Sequence, residues 1–356
     1  MPSAVPSAAA AARLLRTHLV FGANTDVGKT VVTAGLLRAR LLKVTSAPPG
    51  GNADETASAS AAACATTHYI KPLQCGGSDE GWVRRHVEIP SGCTTGAPAT
   101  PSPCYSAQTL FRWETAASPH LASRVEKAPV SDEKIVKSLT DALTNMEDEY
   151  VENKAKITTQ PSILAETAGG VLSPSSASPD NSLTTHARGV PSSDDDGNSD
   201  PLSWGWSTQA DLYQPLGLPV VLVGDGRLGG ISCTLSALES LAVRGYDVQG
   251  IVIVDDGGGY GNVAALQEYA ASQSSSHVRG QEFPFARQSY QVDPKQSILS
   301  LPPLPPEPEP LTPWYQSKEV EEGLDAFEDR LEYLWNKERG REDQLLSQGY
   351  YTLPPV

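Results

Sequence analysis

Residues 19–30 read L-V-F-G-A-N-T-D-V-G-K-T: an apolar strand enters a short loop and passes straight into a helix, on which Val31, Val32, Leu36, Leu37 and Leu41 recur at helical spacing. A loop of this shape turns successive backbone N–H groups and a helix N-terminus toward one point, where an anion is stabilised. Lys29 would then neutralise phosphate charge and the Thr30 hydroxyl would hold Mg2+. Five residues, not four, separate Gly22 from Gly28, but counting from Ala23 restores the spacing with Ala in place of the first Gly. On this reading ATP is contacted by Asn24, Thr25, Asp26, Val27, Gly28, Lys29, Thr30 and Val31.

Further apolar strands, at residues 68–73, 162–165, 218–223, 249–254 and 297–301, do not alternate with polar residues and are separated by helical stretches. Strands of that kind are buried on both faces, so the expected fold is α/β, a P-loop NTPase-like, doubly wound parallel sheet with helices on both faces. Polar loop insertions interrupt it near residues 44–66, 173–207 and 272–295, and 76–107 reads as irregular. The expected domains are a segment at 1–17, a P-loop domain over 18–313 and a helical tail over 314–356.

Three other loops follow the C-terminal ends of expected strands, where such sheets collect ligands. Lys71 leaves its strand ahead of Pro72, Gln74 and Cys75; as an alternative it is a solvated strand-end lysine. Glu166 ends its strand before Ala168, Gly169 and Gly170, in a position suited to Mg2+. Gly229, Gly230, Ile231 and Ser232 open a helix whose free N–H groups suit a carboxylate. Together these imply ATP-dependent phosphoryl transfer with the acceptor unnamed.

Composition narrows the partners. With 27 basic and 42 acidic side chains the formal charge is −15, which disfavours nucleic acid and anionic membrane. The longest strongly apolar stretch is far shorter than the roughly 18–20 residues that span a bilayer. Five scattered cysteines form no C-x-x-C pair and read as free thiols. The run Asp194, Asp195 and Asp196 reads as solvated loop. Residues 1–17 are acid-free, rich in Ala and Ser, and carry Arg13 and Arg16, as transit peptides do, yet strand-like sequence begins at once. An intracellular, soluble protein is expected, mitochondrial by this composition, with the cytoplasm as the alternative.

In order along the chain, G-A-N-T-D-V-G-K-T (22–30), Y-I-K-P-L-Q-C-G (69–76), S-P-H-L-A (118–122), A-E-T-A-G-G (165–170) and V-G-D-G-R-L-G-G-I-S (223–232) resemble dethiobiotin synthetase, in particular the synthetase half of the eukaryotic enzyme fused to a diaminopelargonate aminotransferase. The resemblance implies a cyclo-ligase of biotin biosynthesis. It would convert 7,8-diaminopelargonate and CO2 with MgATP to dethiobiotin, ADP and phosphate, through a carbamate and a carbamic-phosphoric anhydride. By the same resemblance Thr25, Lys29 and Lys71 are catalytic, with Lys71 holding carbamate and γ-phosphate. Lys71, Cys75, Leu228, Gly229, Gly230, Ile231 and Ser232 contact substrate. Thr30, Glu166 and Asp79 bind Mg2+, with Glu80 an alternative to Asp79. The turn at 228–232 would serve the neighbouring subunit, which implies a homodimer.

This sequence departs from the family at Cys75, where Ser or Thr is common, and at Asp255, which stands where a base-recognising Asn is usual. No second domain with a Schiff-base lysine follows residue 313, so transamination is not expected here and an aminotransferase becomes a candidate partner. The rival readings are another P-loop ATP-dependent amidoligase and an inactive scaffold for an aminotransferase.

Overall fold

The computed structural model describes residues 14–46, 66–87, 104–153, 161–176, 206–275, 297–306 and 310–347. Most of the expected insertions lie outside these residues, as do residues 1–13, Asp194 to Asp196, Cys64 and Cys93.

Seven strands form one all-parallel sheet: β1 Arg16–Gly22, β2 Thr66–Cys75, β3 Cys104–Trp113, β4 Ser162–Gly170, β5 Val220–Val223, β6 Val248–Val254 and β7 Ile298–Leu301. Their order is β3-β2-β4-β1-β5-β6-β7, so the first strand made lies at the centre. Every residue of β1, β5 and β6 is buried. The pleat explains how both faces are apolar at once: Leu19, Phe21 and Leu222 point into one core, Val20, Val221 and Val223 into the other.

The first core is closed by α3 Pro119–Val125, α4 Asp132–Asn153, α5 Gln209–Tyr213, α6 Gly230–Ala242 and α7 Asn262–Ser275. The second is closed by α1 Lys29–Ser46, α2 Asp79–Val87, α8 Thr312–Tyr315 and α9 Lys318–Ser347. Doubly wound parallel architecture is thus observed.

Three local differences from the sequence reading have physical causes. The stretch at 76–107 is not wholly irregular. Ser78 caps α2 by accepting from the Gly81 N–H at 3.0 Å, Val83 and Val87 bury one helix face, and β3 begins at Cys104. β2 also runs through Pro72 to Cys75. Its pairing with β4 ends at Ile70, so no ladder bond on that side calls for the N–H that proline lacks. Around the stretch expected as an insertion at 173–207, the two flanks are joined, with Ser175 N–H donating to Ser207 O at 2.8 Å.

The segment from residue 314 packs as part of this domain. Val320, Leu324, Phe327 and Leu331 form a stripe at helical spacing along α9 and enter the second core. Gly35 on α1 and Gly250 on β6 admit it: a Cβ on Gly250 would stand 2.4 Å from the Phe327 ring. Charge follows packing, for Arg16 pairs with buried Glu328 while donating to Ser162 Oγ at 3.0 Å, and Arg40 pairs with Glu332 at 2.8 Å. Replacing Glu328 by Ala strands a buried guanidinium and is expected to cost about 3–5 kcal/mol. Urea unfolding measures this; a loss below about 1 kcal/mol would show that Arg16 finds another partner.

His18 sits on β1 against Gln249 Oε1 at 2.9 Å, and its pKa is pushed down to about 3, first by burial and then by Arg16. Unfolded, it protonates near pH 6.5. Between those values the unfolded chain holds a proton that the folded chain refuses. Its contribution is therefore intact above pH 6.5 and is lost as pH falls toward 3, by up to about 1.4 kcal/mol per pH unit. His18→Gln should flatten that slope, and equal slopes in variant and wild type would remove His18 from the account.

Candidate functional site

β1 ends at Gly22 and the chain turns through residues 23–28 into α1. The turn is tight: a Cβ on Gly22 would meet Asn24 O and Lys29 Nζ at 2.8 Å. Asp26 and Gly28 take left-handed φ values of 56° and 87°, the second of which strongly favours glycine. Asn24, Thr25 and Asp26 are exposed on the outer arc, while Val27 and Lys29 are buried. Lys29 Nζ lies 3.4 Å from Asn24 O, folded back over the loop. Burial lowers its pKa to about 8, with the Lys71 charge acting in the same direction and Glu166 against it.

From β4 next door, Glu166 enters the same space with no exposed surface. Its Oε1 accepts from Thr30 Oγ1 at 2.9 Å and from Lys71 Nζ at 2.8 Å, and its Oε2 from Tyr69 OH at 3.2 Å. Lys71 also meets Asp79 Oδ2 at 2.6 Å and Thr167 O at 3.3 Å. Burial would pull the Lys71 pKa down, but the two carboxylates outweigh it and hold the ammonium above its ordinary value. Burial, then Glu166, keeps Tyr69 a phenol.

Thr30, Lys71, Glu166 and Asp79 therefore form one cluster beside the phosphate-type loop. Glu80, offered as an alternative to Asp79, points elsewhere: its carboxylate accepts from Arg84 at 3.0 Å and Thr109 at 2.9 Å. Two carboxylates and a hydroxyl at the mouth of such a loop fit the oxygen set that Mg2+ takes, with remaining positions left to water or phosphate. Among the described residues no group of three or more His, Cys, Asp or Glu gathers as a metal site of its own.

The remaining candidates surround this cluster. Gly169 and Gly170 turn against the loop: a Cβ on Gly170 would stand 3.3 Å from Ala23 O, and Val171 N–H donates to Gly22 O at 3.0 Å. Cys75, half-buried at the end of β2, is a free thiol whose pKa burial pushes up to about 12, so it is a neutral, weak donor. Leu228, Gly229 and Ser232 are exposed at the opening of α6, where no side chain caps the N-terminus. Val31 is buried in α1. Asp255 follows β6, and its Oδ1 accepts from Gly257 N–H at 2.8 Å, which ties it into its own turn.

Three contributors were missed from sequence. Tyr69 shares a β2 face with Lys71 by the two-residue period, which was signal enough. Asp225 and Arg227 lie inside the glycine-rich motif, but only the fold brings them to the phosphate-type loop, with Arg227 Nη2 donating to Thr25 O at 3.3 Å.

No family model matches the chain. It is similar to the mitochondrial bifunctional dethiobiotin synthetase/7,8-diamino-pelargonic acid aminotransferase of Oryza sativa subsp. japonica, 31% identical over 375 residues covering 94% of this chain and 36% of that one. The bifunctional dethiobiotin synthetase/adenosylmethionine-8-amino-7-oxononanoate aminotransferase of Emericella nidulans is 35% identical over 70% of this chain and 23% of its own. An ATP-dependent dethiobiotin synthetase BioD of Neorickettsia sennetsu is 29% identical over 58% of this chain and 73% of its own. Among solved structures, pNOB8 ParA bound to nonspecific DNA has a TM-score of 0.41 at 11% identity, over 92% of this chain and 99% of that one; a likeness so loose says nothing of ligand or reaction. The chain spans 36% and 23% of the two fused relatives, yet 73% of the free-standing synthetase. It is similar to the dethiobiotin synthetases, and it matches the synthetase half of the fused enzymes.

Proposed function

We propose that this chain is a ligase of biotin biosynthesis, an ATP-dependent dethiobiotin synthetase that joins 7,8-diaminopelargonate and CO2 and releases ADP and phosphate. The observation that carries the reading is Glu166, buried and shared between Thr30 beside the phosphate-type loop and Lys71 on β2. It brings a nucleotide-loop hydroxyl, a carboxylate and a lysine to one point, and relatives named as dethiobiotin synthetases support the choice of acceptor.

In this reading the loop at 23–28 wraps the ATP phosphates with backbone N–H groups, Thr25 contributes on its outer arc, and Lys29 neutralises the phosphate oxygens. Thr30, Glu166 and Asp79 would hold Mg2+, which supplies charge neutralisation on the phosphates when bound. One substrate amine attacks CO2 to give a carbamate, which Lys71 holds as a compact cation. A carbamate oxygen attacks the γ-phosphorus and ADP leaves. The second amine then attacks the carbamoyl carbon and expels phosphate, closing the ureido ring. Cys75 lies against the acceptor as a weak donor, and residues 228–232 meet the carboxylate of the acceptor held by the neighbouring subunit with the free N–H groups of α6. Asp255, engaged by Gly257, stands toward the base only as an acceptor.

We also infer a homodimer, with the 228–232 turn serving the neighbouring subunit, and an aminotransferase as partner. The plant relatives are named mitochondrial, and the Ala/Ser-rich start of this chain favours that compartment over the cytoplasm. No described helix is long and apolar enough to cross a membrane.

The test is ADP release from MgATP and bicarbonate with and without 7,8-diaminopelargonate, and dethiobiotin followed by mass. Diamine-dependent ADP and dethiobiotin support the reading. ATP binding without a diamine response moves it to another amidoligase, and failure to bind ATP moves it to the scaffold. Lys71→Met is expected to cut kcat about 10²–10⁴-fold with ATP affinity within about threefold, because the lysine acts where charge develops. Glu166→Gln is expected to raise the Mg2+ concentration needed for half-maximal rate about 10-fold or more. A wild-type rate for Lys71→Met, or an unchanged Mg2+ requirement for Glu166→Gln, would overturn that residue's role.

A further inference from the structure

The loop that enters α1 follows β1 and the turn that opens α6 follows its sheet neighbour β5, with Arg227 202 positions on from Thr25, and side chains join the two. Asp225, almost fully buried after β5, accepts from Arg227 Nε at 2.9 Å, from Arg227 Nη2 at 2.8 Å and from the Arg227 backbone N–H at 3.0 Å. The Asn24 side chain donates to the same carboxylate, while Asn24 Oδ1 accepts from Thr25 N–H at 2.8 Å. Arg227 then reaches across to Thr25 O at 3.3 Å.

Behind Arg227 the turn has little freedom. Asn262 Nδ2 donates to Asp225 O at 3.0 Å and to Arg227 O at 2.9 Å. Gly230 N–H donates to Arg227 O at 2.9 Å. A Cβ on Gly226 would fall 2.2 Å from Val254 O, and one on Gly230 1.9 Å from Asp225 O, so the turn is seated against β6 and on its own start. Beside the Asn24–Asp225 bond and Cys233 Sγ, which lies 3.8 Å from Ala23 O, a guanidinium crosses to the neighbouring loop, and that guanidinium is fixed in plane by a two-pronged carboxylate. A planar fork transmits orientation, which a point charge does not.

We propose that Arg227, oriented by Asp225, is a positioning residue that transmits occupancy of the 23–28 loop to the turn at 228–232. When phosphate draws the loop's N–H groups inward, the Thr25 carbonyl and the Asn24 side chain move with them. Arg227 carries that change to the turn at the start of α6, whose first N–H, that of Gly230, donates to Arg227 O. Nucleotide binding thereby sets the turn for its own ligand, and the turn's ligand in return tightens nucleotide, since such coupling is reciprocal. This rests on the reading of the loop as the ATP site and not on the identity of the acceptor.

Amide hydrogen exchange with Mg2+ and the non-hydrolysable analogue AMP-PNP, with no acceptor present, tests it. In the wild type, exchange should slow at residues 23–30 and, by about fivefold or more, at residues 228–232. In Arg227→Gln the protection at 23–30 should remain and that at 228–232 should vanish. Arg227→Lys should not restore it, whereas a role in charge alone would be rescued by lysine. Retained protection of the turn in Arg227→Gln overturns the coupling. So does a wild-type turn that ignores nucleotide while the loop responds. A loop that does not respond at all overturns the ATP reading, and the coupling with it.

Discussion

A carboxylate with no exposed surface must be answered where it stands, and Glu166 is answered three times over. Leaving such a charge unpaired would cost several kcal/mol even after relaxation. Thr30, Tyr69 and Lys71 are therefore not free to drift, and with them α1 and β2 are fixed relative to β4. Asp79 extends the same chain of charge to the start of α2. Elements that adjoin the cleft thus owe their register to the side chain the chemistry would use, and any change that loosens Glu166 is felt by fold and site together.

β1 shows how one strand serves two ends. At its start, Arg16 is locked by Ser162 and Glu328 among groups that face no cleft. At its finish, six residues on, Gly22 releases the chain into a loop whose backbone is met largely by side chains, Asn24 O by Lys29 and Thr25 O by Arg227. Parallel strands bring their finishing ends to one edge, so the loops after β1, β2, β4 and β5 meet there without any long excursion. Rigidity accumulates at the opposite edge, where α9 is bound by charge as well as by apolar packing.

Much of this was legible in the residues. The strand–loop–helix at 19–30 declares itself because an apolar strand and a helix flank a Gly-Lys-Thr run directly. Lys71 and Glu166 could be picked out because each ends an apolar run. What failed did so for lack of local signal. β3 is an edge strand that mixes polar and apolar residues, and α2 is nine residues long with two buried valines, too short for a periodicity to emerge. Asp79 and Glu80 could not be separated from sequence, since adjacent helical side chains point about 100° apart and only the placement of the helix says which one faces Lys71. Arg227 was invisible as a bridge because its partner, Thr25, lies 202 positions away.

The pairing of Arg16 with Glu328 spans 312 positions, and its first member belongs to the middle strand of the sheet. A nascent chain emerges from the ribosome one end first, at roughly 5–20 residues per second, so that arginine waits on the order of tens of seconds for its counter-charge. Until α9 has left the exit tunnel, the centre of the sheet holds a cation it cannot bury and an apolar face it cannot cover. Vectorial synthesis therefore cannot complete this domain piece by piece. Its closure is a late event, and a chain halted before residue 328 leaves Arg16 without its carboxylate and the second core without the rest of α9.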